Sequence, residues 1–77
     1  MIKSYITNEY YDEKKAVYIK NTRQAMAYIA YGAKLLDLLV DKNMDRNTGE
    51  IRRMLTFVFS RDDHELLLGK WKSHELD

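Results

Sequence analysis

The stretch that decides the fold runs from Ala25 to Val40, with the sequence AMAYIAYGAKLLDLLV and one glycine, Gly32, at its middle. It forms either one long buried helix or a helix that ends at Gly32 and is followed by a strand. Glycine in this place suits the left-handed residue that ends many helices. Leucine propensity favours a continued helix, whereas the short apolar run after Gly32 fits both periodicities. Taken alone, the stretch leaves both structures open.

The segment further along the chain favours the strand. Ile51–Ser60 has the clearest strand pattern in the sequence, with aromatic, β-branched and aliphatic residues at alternating positions. A strand this apolar needs neighbours in a sheet. The polar residues 41–50 contain Gly49 and are typical of a hairpin loop. We therefore predict that Lys34–Asp41 is a strand paired with Arg52–Ser60, with one long helix as the alternative.

Two helix starts can be placed by their capping residues. Asn21 is a good N-cap, and Gln24 follows it three residues later, so the first helix should begin at about Thr22. Ser60 followed by Asp63 resembles a capping box and should begin the last helix, whose first turn is acidic. The predicted buried faces are Ala25, Met26, Ile29 and Ala30 on the first helix and His64, Leu67, Leu68 and Trp71 on the second.

The remaining elements complete a small α+β domain. Residues 16–20 alternate as a strand, with Val17 and Ile19 on one face. For residues 1–14 we predict either a short N-terminal strand or a flexible segment. We expect a single domain over residues 15–77 in the order (β)βαββα, with two helices on one face of an antiparallel sheet.

Composition limits the function. The chain has 77 residues, no cysteine and a formal net charge of +1, with 13 basic and 12 acidic residues. Disulfides and thiolate metal sites are excluded. Nucleic-acid binders usually carry a clear basic excess, so the charge balance argues against that class. No apolar run has the length of a signal peptide or a membrane span. We expect a cytoplasmic protein without a membrane partner.

Catalytic and metal-binding patterns are incomplete. His64 and His74 stand ten residues apart, or ~15 Å along a helix, so they cannot share an ion within one chain. The serines have no nucleophile-elbow context, and the three glycines form no phosphate loop. We therefore predict no catalytic residue, no metal and no cofactor, and we expect a protein that is not an enzyme.

A second pattern, Asp41-x-Asn43-x-Asp45, copies the first ligands of a calcium loop. The sixth position of such a loop is glycine and the twelfth is glutamate. Here both positions are arginine, Arg46 and Arg52, whose guanidinium groups would repel a cation. A solvated hairpin loop is the better interpretation.

Three motifs follow one another along the chain: the helix Ala25–Leu36 with its glycine, the F-x-F strand Thr56–Phe59, and a closing helix that contains Trp71. Their order resembles a family of short proteins of unknown function from Firmicutes and their phages. It covers Val17–Leu76 and consists mostly of core residues. The resemblance implies a phage or mobile-element accessory protein, located in the host cytoplasm. It carries over no catalytic or ligand-binding residue.

Tyrosine is the clearest binding signal. Six tyrosines exceed what so small a core is expected to bury, and tyrosine is enriched at interfaces. Partial burial of each at the rim of the core is the structural alternative. The predicted protein-binding residues are Tyr5, Tyr10, Tyr11, Tyr28 and Tyr31.

These observations lead to one main functional hypothesis and two alternatives. The main one is a non-enzymatic, phage-type accessory protein that occupies a host protein's surface, as a counter-defence inhibitor would. A small nucleic-acid-binding regulator is the first alternative, because basic side chains near aromatic ones can grip single strands. A self-assembling structural piece is the second, and a homodimer through an edge strand is compatible with all three. The predicted nucleic-acid-binding residues of the first alternative are Lys15, Arg23, Arg52 and Arg53.

Overall fold

A three-stranded antiparallel sheet forms the middle layer of the structure. The computed structural model describes residues 1–75, so the last two residues of the predicted domain lie outside it. The sheet order is β3-β5-β4, and β1 and β2 form a separate two-stranded hairpin. A 3₁₀ turn at Glu13–Lys15 precedes β3. The elements are β1 (Ile2–Lys3), β2 (Tyr10–Tyr11), β3 (Ala16–Ile19), α1 (Thr22–Ala30), β4 (Leu35–Met44), β5 (Ile51–Ser60) and α2 (Arg61–Lys72).

Gly32 ends the first helix, and a strand follows it. Its φ is +95°, a conformation in which a side chain would be strained. The Gly32 N–H donates to the Ile29 carbonyl at 3.1 Å, and the Ala33 N–H donates to the Tyr28 carbonyl at 3.0 Å. These two bonds satisfy carbonyls that the helix end leaves free. The prediction of a helix followed by a strand is confirmed, as is the α+β fold; the predicted order ββαββα is present, with one more short strand in the N-terminal segment.

Both predicted N-caps are confirmed. The Asn21 side chain accepts a hydrogen bond from the Gln24 N–H at 3.2 Å, and Ser60 Oγ accepts one from the Asp63 N–H at 3.1 Å. In a capping box the Gln24 side-chain amide would reach back to the cap residue, but here it donates to the Tyr28 hydroxyl at 2.9 Å. Local sequence therefore fixes where each helix begins, whereas the side chain of Gln24 is positioned by a longer-range partner.

The β4–β5 hairpin is longer than predicted. The predicted strand ends at Asp41, whereas in the structure residues 42–44 continue β4 and the ladder runs to the pair Met44 and Ile51. The loop proper spans residues 45–50, where the Asp45 N–H donates to the Glu50 carbonyl at 2.8 Å. Gly49 has a φ of +72° in this loop. The calcium-like pattern is thus divided, because Asp41 and Asn43 lie in a strand and Asp45 begins the loop.

Two clusters of buried side chains lie on the two faces of the sheet. On the helical face, Phe57 and Phe59 pack against Ala25, Tyr28 and Ala33 of α1 and the turn after it. The opposite face holds a second cluster of Tyr11, Ala16 and Val58, and Tyr11 brings the N-terminal hairpin onto the sheet. The hairpin of β1 and β2 therefore forms a third layer.

The buried face of α1 differs from the prediction. Met26 and Ile29 are exposed, whereas Tyr28 is completely buried. The Tyr28 ring packs edge-on against Phe59 with 5.5 Å between ring centroids, and its hydroxyl has two polar partners. Because the polar end is satisfied, burial of the large ring is favourable. Trp71, predicted on the buried face of the last helix, lies only partly buried at the edge of this cluster.

A β-bulge in β4 changes which leucines face the helices. The register shifts between Leu35 and Asp37, so Leu36 is the extra residue. Strict alternation would place Leu36 with Leu38; instead Leu36 packs in the hairpin-side cluster, and Leu35 and Leu38 pack with the helices. The same bulge places Asp37 under the N-terminal hairpin.

Candidate protein-interaction surface

The distal half of the β4–β5 hairpin projects beyond the packed layers. We call this segment the β-arm and define it as residues 40–44 of β4 and 51–55 of β5. Every one of these residues is exposed. The cross-strand pairs are regular through the arm, from Val40 with Leu55 to Met44 with Ile51. Backbone hydrogen bonding continues there without the burial that holds the rest of the sheet.

Side chains alternate between the faces of a ribbon, so the register assigns each arm residue to a face. On the helical side the rows are Val40 with Leu55, Lys42 with Arg53, and Met44 with Ile51. We call this the apolar–basic face; it carries two cations and no carboxylate. The other side, which we call the acidic face, continues into the loop and carries three carboxylates and one cation. Its residues are Asp41, Asn43, Asp45, Glu50, Arg52 and Met54.

Several large apolar side chains of the arm are exposed to solvent. Val40 is 55% exposed, Ile51 66% and Met44 68%. Isolated apolar residues on a surface are ordinary, whereas here two apolar cross-strand pairs share one face of the ribbon with a single row of cations between them. This makes the arm the candidate interaction surface. β3 pairs only with residues 57–60 of β5, so in the described part of the chain no strand covers the outer edge of the arm. Such an edge can also accept a partner strand.

A buried carboxylate anchors the N-terminal hairpin beside the arm. Asp37 is completely buried. Its Oδ1 accepts from the N–H groups of Tyr5 and Leu38, both at 2.9 Å, and from Ser4 Oγ at 3.3 Å. Its Oδ2 accepts from the Tyr11 hydroxyl at 3.0 Å. Three of these four donors belong to the hairpin, so Asp37 fastens that layer to the sheet.

The hydrogen bonds also set the protonation states. Burial alone would raise the pKa of Asp37, but the bonds from Tyr5, Leu38, Tyr11 and Ser4 outweigh it and lower the pKa below 3.8. Burial, together with the bond to Asp37 and its negative charge, raises the pKa of Tyr11 to about 12. At neutral pH the pair is therefore a carboxylate that accepts from a neutral phenol.

Two of the five tyrosines predicted to contact a partner do not lie on the surface. Tyr11 and Tyr28 are buried, 7% and 0% exposed, so the prediction that they contact a partner is wrong. Each is held inside by a hydrogen-bonded hydroxyl, which sequence patterns do not show. Tyr5, Tyr10 and Tyr31 are exposed. Tyr31 lies at the end of α1, where its hydroxyl donates to the Glu75 carbonyl at 3.3 Å, away from the hairpin that carries the other two.

Tyr5 is the tyrosine that adjoins the arm. It lines a shallow depression of about 470 Å³ together with Leu38, Leu39, Val40 and Asp41. Its backbone N–H is the group bound by Asp37, which fixes this residue at the base of the arm. The arm and Tyr5 thus form one continuous exposed region.

The four predicted nucleic-acid-binding cations do not form one patch. Arg52 and Arg53 lie on opposite faces of the arm, and Arg52 is 3.9 Å from Asp45. Lys15 lies next to Ser60, at the other end of β5. Arg23 lines a separate depression with Trp71, near the start of α1. The structure brings none of the four into a shared groove.

The histidines occupy separate positions. His64 Nδ1 is 2.9 Å from the Tyr28 hydroxyl, while His74 follows the last turn of α2 with a φ of +61°. Because Gln24 donates to that hydroxyl, the hydroxyl is free to donate to His64. Among residues 1–75, no three His, Asp or Glu side chains come close enough to hold a metal ion.

Asp37 is the site residue that sequence reasoning missed. It is the one charged residue in the run Leu35–Val40, and a lone carboxylate between leucines was the available signal. Its donors lie 26 to 33 residues away or are backbone groups, so no local pattern names them.

Comparisons with protein-family models, with curated proteins and with solved structures find no match to this chain. No helix in the described range has the length and apolar character to span a membrane.

Proposed function

We propose that this chain is a non-enzymatic accessory protein that binds another protein through the β-arm and Tyr5. In the phage or mobile-element setting that the resemblance implies, the bound protein belongs to the host. By occupying a surface of the host protein, the chain would inhibit it. The proposed class of target is a defence protein.

The observation that carries the proposal is the exposed apolar surface of the arm. Met44 and Ile51 form a cross-strand pair near its end, and both are about two-thirds exposed. These side chains lie outside both buried clusters, so they add little to folding. Burial of this exposed apolar surface against a partner is favourable, because it removes the surface from water.

An affinity experiment with matched variants tests this proposal. The tagged protein is used as bait in a host extract, beside the double variant Met44→Gln, Ile51→Thr. The control is Met26→Gln, Leu66→Gln, which removes two equally exposed apolar residues from the helices. Circular dichroism should show the same fold for all three proteins.

Mass spectrometry should detect a specific bound protein with the parent and the helix control, depleted by tenfold or more with the arm variant. Deleting the host gene for that protein should then abolish any phenotype that expression of the chain causes in the host. If every protein retained by the parent is retained equally by the arm variant, the arm is not the binding surface and the proposal is wrong.

The nucleic-acid alternative has one observation in its favour. A two-stranded ribbon fits the major groove, and Arg52 and Arg53 both lie on the arm. Against it, Asp41 of the arm and Asp45 and Glu50 of the adjoining loop would repel phosphates. A salt titration with duplex and single-stranded DNA separates the two functions, since counterion release requires affinity to fall steeply with salt.

A further inference from the structure

We propose that the apolar–basic face of the β-arm binds a segment of partner protein in which carboxylates lie between aliphatic side chains. This inference rests on the proposed function and names the chemistry of the partner. It follows from how the register orders the face: an aliphatic row, a cationic row and a second aliphatic row.

The spacing of the rows fits an extended segment. Successive rows on one face of a strand are ~7 Å apart, so the three rows span ~14 Å. A partner strand has the same spacing, with aliphatic, acidic and aliphatic residues at positions i, i+2 and i+4 on one face. Val40 with Leu55 and Met44 with Ile51 would cover its aliphatic residues, and Lys42 with Arg53 would meet its carboxylate.

The two cations are available for such a contact. Lys42 and Arg53 are both exposed, and in the described part of the chain neither forms an ion pair. Arg52, on the acidic face, has Asp45 beside it. Because alternation places every carboxylate of the arm on the other face, the attraction of Lys42 and Arg53 for a partner's carboxylate meets no competing group on their own face.

A second copy of this chain fits the face less well. Two apolar–basic faces brought together would oppose four cations without a carboxylate. Seating this face on the acidic face of another copy would leave both outer faces free, which produces an open stack rather than a closed dimer. The acidic face also lacks the aliphatic rows, since Met54 is its one apolar residue among the six.

A displayed library of random 12-residue peptides, selected on the immobilised full-length protein, tests the partner chemistry. The enriched peptides should carry Asp or Glu flanked by aliphatic residues two positions away on each side. Binding of a fluorescently labelled enriched peptide should weaken about tenfold or more in the variant Lys42→Glu, Arg53→Glu. The matched control, Lys14→Glu, Lys15→Glu, makes the same charge change on exposed lysines outside the arm and should bind within twofold of the parent.

A charge-swapped peptide provides the positive test. Replacing its acidic residue by lysine should abolish binding to the parent and restore binding to Lys42→Glu, Arg53→Glu. If enriched peptides depend on Met44 and Ile51 but show no acidic preference, the partner chemistry is wrong and the proposed function stands. If they are unaffected by Met44→Gln, Ile51→Thr, both are wrong.

Three further outcomes would overturn the inference. The first is the absence of any enriched peptide, and the second is binding of a duplex DNA more tightly than any peptide in the same assay. The third is a concentration-dependent stack in sedimentation that is lost in the charge-reversed variant. The last would identify a second copy as the occupant.

Discussion

Removing one hydroxyl, in Tyr11→Phe, tests whether the buried carboxylate holds the N-terminal layer in place. The change deletes the donor to Asp37 Oδ2 at 3.0 Å and leaves the ring in its cluster with Ala16 and Val58. The oxygen left behind is buried and has no other donor among the hydrogen bonds of the described residues. A hydrogen bond to a charged group contributes about 1.5–3 kcal/mol.

We therefore expect the free energy of unfolding to fall by about 2 kcal/mol. A domain of this length has about 4–11 kcal/mol in total, so the loss is a large fraction. With a urea dependence of about 1–1.5 kcal/mol/M, the midpoint should drop by about 1–2 M. The effect is measured by urea unfolding followed by far-UV circular dichroism at pH 7.

Tyr10→Phe is the matched control, because it removes the same atom from the adjacent, exposed residue. Its free energy of unfolding should stay within about 0.5 kcal/mol of the parent. If Tyr11→Phe matched this control, the bond to Asp37 would contribute nothing net, and the account of Asp37 as the anchor of the hairpin would be refuted.

The other predictions concern protonation, turns and caps. The pKa of Asp37 is lower in the folded state, so the parent should lose stability as the pH falls from about 5 toward 2, and Asp37→Asn should flatten that loss in acid–urea titrations. Gly32→Ala should cost about 1–2 kcal/mol in urea unfolding, because φ is +95° and the added carbon meets no atom within 4 Å, so the cost is conformational. Gly69→Ala, inside α2 and equally free of contacts, should instead stabilise by about 0.5–1 kcal/mol; equal effects of the two alanines would contradict this. Ser60→Ala should lower stability by about 0.5–2 kcal/mol by removing the acceptor for the Asp63 N–H, and an unchanged melting temperature would refute the cap.

The parts of the fold that sequence predicted are those that depend on near neighbours. Asn21 and Ser60 cap the helices that follow them. At Gly32, α1 ends through bonds that the Gly32 and Ala33 N–H groups donate to carbonyls three and five positions before them, respectively. Each of these features depends on residues no more than five positions apart in the sequence. Local stereochemistry is enough to recognise them.

The parts that sequence missed depend on distant partners. Tyr28 rather than Met26 faces the core because Phe59 and His64 receive its ring and hydroxyl, and both come more than 30 residues later. The bulge at Leu36 cannot be read from alternation, since alternation assumes that no residue is inserted. The buried role of Tyr11 requires Asp37, a carboxylate whose burial is favourable only when the hairpin covers it.

The length of the β-arm was missed for a different reason. Asp41, Lys42 and Asn43 are polar and exposed, so the composition of this segment favours a loop. The spacing of a strand is nevertheless present, because Val40, Lys42 and Met44 stand at alternate positions and share one face of β4. Exposed strands carry no apolar alternation against a core. Their signal is therefore weaker than that of Phe57–Phe59, where one face is buried under helices.

The arm and the buried carboxylate divide the molecule into two physical roles. Asp37 spends its four hydrogen bonds on fixing the hairpin, and one of them holds the backbone of Tyr5 at the base of the arm. The arm contributes little burial and leaves an edge that would invite aggregation. Its charged rows, with Lys42 and Arg53 on one face and Asp41 on the other, oppose edge-to-edge pairing between copies. The partner that we propose would therefore meet a projecting ribbon that adds little to folding and is protected against its own copies, and those same charged rows would select the partner's charge pattern.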